Sequence, residues 1–143
     1  MPNRAVTAER SALITDADYD RLNHLAESPR YRGSHGMHLT NLREHLSRTK
    51  VVPTTKVPRS VVTMHSQVRV RDPKSDEVGT YTLVYPDAAD ITDGKLSVLA
   101  PMGAALLGAR QGQVVKFETP GGVRRLKVLK ILYQPETAGD FHL

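Results

Sequence analysis

At 143 residues the chain suits one or two small domains, and 39% hydrophobic residues allow a modest core. It has no cysteine, which excludes disulfides and thiolate metal sites, and only 5% of it is aromatic, which makes a ring-walled pocket hard to build. The net charge is +5, no apolar run approaches the ~18 residues of a membrane span, and the first residues lack the apolar stretch of a signal peptide; a soluble, cytoplasmic chain is expected.

The first predicted element is a short helix. Thr15 or Asp16 can cap it, and Asp18 and Asp20 suit the positive end of its dipole. Tyr19, Leu22 and Leu25 or Ala26 recur at helical spacing, and Leu13 with Ile14 can pack back on the first turn as a staple. Ser28-Pro29 ends this helix, because the residue before a proline avoids helical backbone angles. A loop through Gly36 follows. A second helix is predicted from Met37 to Arg48, with Leu39, Leu42 and Leu46 on one stripe. Two stripes joined by a short loop hide by facing each other, so residues 1–48 read as a short antiparallel helical hairpin. Alone it buries little, and it must lean on the second domain or on a partner.

Residues 49–60 carry two prolines and no helical stripe, and read as an extended linker. From residue 61 to 143 the signals are those of strands. Val68 to Arg71 alternates apolar and basic, Thr80 to Tyr85 is rich in strand formers, and Lys95 to Leu99 follows an Asp93-Gly94 turn. Pro101 opens a short helix from Met102 to Leu107 that Gly108 stops. Val114 to Thr119 and Val123 to Tyr133 flank Pro120-Gly121-Gly122 as a hairpin. The tail from Glu136 shows no periodicity. The class is α+β: a helical hairpin, then an antiparallel sheet with one small helix, in a module of about 80 residues.

Residues that carry chemistry are scarce. No Gly-x-Ser-x-Gly elbow surrounds a serine, and the Pro120-Gly121-Gly122 turn is not a phosphate loop. His35, His38 and His45 do not complete a ligand set at helical spacing and read as exposed or polar-face residues. A hairpin tip with two acids could hold a divalent cation, but here Glu27 stands with Arg30 and Arg32. Asp87 and Asp90 flank a turn. No cofactor and no metal is expected. Between Arg30 and Arg59 there are seven basic residues and one acid, a stretch open to weak, salt-dependent phosphate contact.

The segment Leu96-Ser97-Val98-Leu99-Ala100-Pro101-Met102-Gly103-Ala104-Ala105-Leu106-Leu107-Gly108 carries a resemblance. With Gly112, the Thr119 to Gly122 turn and the strand from Val128 to Tyr133, it resembles the C-terminal domain of the GreA/GreB transcript-cleavage factors over residues 61–133. Across the whole chain the pattern is similar to the Rnk-type proteins, the regulators of nucleoside diphosphate kinase. That likeness rests on Val61 to Ser66, Thr82 to Pro86, the 96–108 segment and Tyr133-Gln134-Pro135-Glu136. The resemblance implies an FKBP-like second domain that docks on the rim of the RNA polymerase secondary channel, at the β′ subunit. It assigns the contact to Leu99, Ala100, Pro101 and Met102. The acid and serine of the Gre pattern before that proline are Leu99 and Ala100 here. It also implies a hairpin pointing into the channel, too short to reach the catalytic centre and without the acidic pair at Glu27, Arg30 and Arg32. The expectation is a non-enzymatic transcription regulator that occupies the channel entrance without stimulating cleavage. Two other readings stand beside it: direct regulation of nucleoside diphosphate kinase or another enzyme, and a peptidyl-prolyl isomerase drawing on Tyr81, Tyr85, Phe117, Tyr133 and Phe141. With no long heptad seam, a monomer is expected.

Overall fold

The architecture comes from a computed structural model, which describes residues 12–140. Strand β1 (Leu13–Thr15) leads directly into helix α1 (Asp16–Ala26). Thr15 is the cap, its hydroxyl accepting from the Asp18 N–H at 3.1 Å. A 3-10 turn (Pro29–Tyr31) joins α1 to helix α2 (Arg32–Ser47). The second helix thus begins five residues before the predicted Met37, because the glycines at 33 and 36 fall inside its first turns. The side chains of Arg32 and His35 lie outside what is described.

The 49–60 stretch is more structured than an extended linker. Lys50–Val52 forms strand β2, which pairs in parallel with β1, and Thr54–Lys56 makes a 3-10 turn. Leu13 and Ile14 are buried, as a staple would be, but they are buried as strand residues. The remaining elements are β3 (Gln67–Arg71), β4 (Val78–Val84), β5 (Lys95–Ser97), helix α3 (Pro101–Leu106), β6 (Val114–Thr119), β7 (Gly122–Tyr133) and helix α4 (Pro135–Ala138). The tail read as aperiodic therefore carries one helical turn.

The main sheet has the order β5-β4-β3-β7-β6. It is mixed, which corrects the antiparallel expectation: β4 and β5 run parallel. Between them the chain passes through two 3-10 turns, Pro86–Ala88 and Ile91–Asp93, and Gly94 turns back in the left-handed region at φ 73°. The Asp93-Gly94 pair closes that detour instead of a tight hairpin.

One face of the sheet is apolar and covered. Val68, Val70, Leu83, Leu96, Phe117, Leu126 and Val128 join a single buried cluster with Ile14, Leu22, Leu39, Leu42 and Leu46 of the helical part. Helices and sheet therefore share one core. Gly103 is required inside it, because a side chain there would collide with the Ser97 carbonyl. Leu42 has no exposed surface. Leu42→Ala is expected to cost about 2–5 kcal/mol. Far-UV dichroism and tyrosine fluorescence should then melt together at the lower temperature; helices melting before the sheet would contradict the shared core.

Candidate functional site

The loop before α3 is built from inside outward. Val98 and Leu99 are core residues, 0% and 3% exposed. The Ser97 hydroxyl accepts from the Leu99 N–H at 3.0 Å and fixes the turn. Leu99 therefore supports the loop from beneath, and the surface it presents consists of half-buried Ala100, exposed Pro101 and half-buried Met102. Pro101 starts the helix, where its fixed φ suits the first turn and no N–H is lost.

Pro101 and Met102 face different hollows. Pro101 lines a groove of about 600 Å³ with Met37, Asn41 and Arg48 of α2 and with Pro120. Met37 is 76% exposed and lies off the buried stripe of its helix. Sequence reading passed over it, although a large apolar residue off the stripe was the available signal. Met102 lines a second cleft of about 350 Å³ with Val70, Tyr81, Leu126 and the Asp72–Arg124 ion pair. Tyr81 is the aromatic side chain of that lining, thin material for an isomerase pocket.

The hairpin tip is fastened to the sheet domain. Arg30 pairs with Asp87 at 3.2 Å, and the Tyr31 hydroxyl donates to the same carboxylate at 2.7 Å. That bond raises the Tyr31 hydroxyl above its ordinary pKa. Glu27 is exposed. Asp90 does not join Asp87; it accepts from the Thr92 hydroxyl at 2.6 Å. Farther along, Arg43 donates to the Ala26 carbonyl at 3.1 Å, so one cation of the basic stretch serves as a helix cap. His45 is not an exposed histidine. Its Nε2 donates to the Leu107 carbonyl at 2.8 Å, and burial lowers its pKa, so it pins α2 to the end of α3 as a neutral ring. No group of three possible metal ligands comes together among the described residues.

Where α1 meets the sheet domain lies a buried polar cluster. Asp18 is 4% exposed and accepts from the Met64 N–H at 3.1 Å. Thr63 donates to Glu136 at 2.7 Å, tying α4 to the same place. Burial, with Glu136 nearby, pushes the Asp18 carboxyl up to about 6. Burial also pushes the neighbouring Tyr85 hydroxyl well above its usual range.

The model of the family described as "Transcription elongation factor, GreA/GreB, C-term" matches residues 57–133. The chain belongs to the GreA/GreB family. Within it, the chain is similar nearly end to end to a regulator of nucleoside diphosphate kinase from Escherichia coli (strain K12): 42% identical over 132 residues, 92% of this chain and 96% of that one. A transcription elongation factor GreA of Amoebophilus asiaticus (strain 5a2) is 29% identical over 125 residues, 87% of this chain and 76% of that one. A solved structure of a prokaryotic transcription elongation factor GreA/GreB from Nitrosomonas europaea is 38% identical. It superposes with a TM-score of 0.68, covering 86% of this chain and 98% of that one. These relatives are described as transcription factors or as a regulator, none as an enzyme. No helix among the described residues is long and apolar enough to cross a membrane.

The raised Asp18 carboxyl gives a pH dependence of defined sign. Below its unfolded value of 3.8 it is neutral in both states. From there to about 6 the unfolded chain ionises while the folded chain holds its proton, so folding loses stability as pH rises. A shift of that size corresponds to about 3 kcal/mol. Asp18→Asn keeps an acceptor for Met64. It is expected to melt several degrees above the parent at pH 8 and at nearly the same temperature at pH 4. A variant equally displaced at both pH values would contradict the buried-charge account.

Proposed function

We propose that the protein binds RNA polymerase and regulates transcription by occupancy, with no chemistry of its own. The observation that carries this reading is the exposed Pro101, held over buried Leu99 on a Gre-type domain at the position the Gre resemblance assigns to docking. The α2 residue Met37 widens the same apolar surface across the groove. Such a surface, rimmed by Asn41 and Arg48, is suited to a protein partner. The expected partner is the β′ subunit at the rim of the secondary channel, in the cytoplasm, with the protein acting as a monomer.

The hairpin argues for occupancy over cleavage. Helix α2, with 16 residues, is about 24 Å long. Its tip offers one carboxylate, Glu27, and spends Arg30 and Tyr31 on Asp87. Two acids are needed to position a divalent cation for phosphodiester hydrolysis. No stimulation of transcript cleavage in stalled complexes is therefore expected.

Pro101→Glu tests the docking loop. An acid is favourable in the first turn of a helix, so the fold survives while the apolar ridge becomes charged. Affinity for core polymerase is expected to fall at least tenfold, which is about 1.4 kcal/mol. Unchanged affinity would remove this loop from the interface. A second reading, direct binding to nucleoside diphosphate kinase, draws on the description of the Escherichia coli relative. Co-purification with that kinase and not with polymerase would favour it.

A further inference from the structure

The other face of the sheet has a composition that neither the core nor the docking loop explains. The strands β3 to β7 hold eight Lys or Arg and one carboxylate, Glu118. Arg124 belongs to the covered side, where it pairs with Asp72. Asp76 neutralises Arg71, and Asp93 neutralises Lys95. Five cations remain: Arg69, Lys116, Arg125, Lys127 and Lys130. None of them is in an ion pair among the described residues.

Four of these five are set against one another, and the fifth, Lys127, stands opposite Arg71. In the β3–β7 ladder Arg69 is opposite Lys130, and Arg71 is opposite Lys127. In the β6–β7 ladder Lys116 is opposite Arg125. Like charges directly opposite on neighbouring strands destabilise a sheet. Two of these rungs, Arg69–Lys130 and Lys116–Arg125, have no ion-pairing acid, and they make a surface whose repulsion a polyanion relieves. The patch extends over about 10 Å across three strands and about 17 Å along β7. Its neighbours are the hydrogen-bonding Gln67 and Thr80 and the exposed, small apolar side chains of Val78 and Val114.

We propose that this bare sheet face binds the phosphodiester backbone of a nucleic acid. The chemistry favours phosphate over an acidic protein surface. Three of the five cations are lysines, which protein interfaces avoid, and the patch lacks a buried apolar centre. Backbone phosphates need neither. Lys116 also lines the Pro101 groove, whereas Arg69, Arg125, Lys127 and Lys130 do not, and none of the five belongs to the basic stretch at 30–59, so a variant at Arg69 and Arg125 tests the site apart from polymerase docking.

The experiment is fluorescence anisotropy of the full chain with a labelled single-stranded 12-mer and a 20-base-pair duplex, between 50 and 200 mM salt. With about four phosphates neutralised, log K should fall against log salt with a slope near −3 for the single strand or −3.6 for the duplex. The arm that binds more tightly identifies the form of the ligand. The double variant Arg69→Glu with Arg125→Glu should lose at least tenfold in affinity. Its melting temperature should hold or rise, because each new acid stands opposite Lys130 or Lys116. Lys50→Glu with Lys56→Glu should bind like the parent. Three results would overturn the proposal: no binding to either oligonucleotide at 50 mM salt, binding unchanged in the sheet variant, or binding lost in the Lys50 and Lys56 variant instead.

Discussion

The structure depends on a close approach of chain segments at Gly108. Its backbone is left-handed, with φ at 82°, and a side chain there would sit 2.8 Å from both the Leu13 carbonyl oxygen and the Ala12 methyl. The absence of a Cβ lets β1 pass directly over the end of α3. The Leu13 N–H bonds back to the Gly108 carbonyl, and the Gly108 N–H bonds to Val62. One residue earlier, Leu107 takes the His45 bond from α2. Segments around Leu13, His45 and Val62, distant in sequence, therefore meet at two adjacent residues, Leu107 and Gly108. The helical part is not an arm on a tether; it is fastened to the sheet domain at this knot, at Asp18 and at Asp87.

That fastening shapes the functional reading. Polymerase occupancy calls for a body of defined shape, and the shared core supplies one. The knot also orients α2 so that Met37 and Pro101 face the same groove. The same helix start that buries Leu106 and Leu107 carries Pro101 outward, so folding and docking use opposite sides of one six-residue element. The basic sheet face points away from this core, and nothing in the described residues covers it.

Much of this was legible in the sequence because its signals are local. Thr15 as a cap, Pro101 as a first helical residue and Pro120-Gly121-Gly122 as a hairpin turn each act on their own neighbours. The α+β class followed from them. The parallel β4–β5 pair was not legible, because the two 3-10 turns that permit it resemble ordinary loop chemistry. Neither was β2, whose three residues form a strand only when β1 lies beside them. At the site, Pro101 was legible as a helix start and, through the resemblance, as part of the contact with Leu99, whereas the inward turn of Leu99 depends on the Ser97 bond and the core beneath it. Asp18 read as a dipole-facing acid, and its burial needed Met64 and Glu136, far along the chain, to be in place. The like-charge rungs required the ladder register, which alternation within one strand does not reveal.

Occupancy of the polymerase surface used by Gre-type factors is the proposal on which the functional reading rests. The most direct measurement is displacement of a labelled GreA factor from core RNA polymerase by the unlabelled chain at equilibrium. Complete displacement, with half-effect at a concentration that tracks the chain's own affinity, is the predicted result. A GreA signal unchanged at up to about 10 μM chain, a level at which even a weak specific complex with a free energy of about −7 kcal/mol forms, would contradict it.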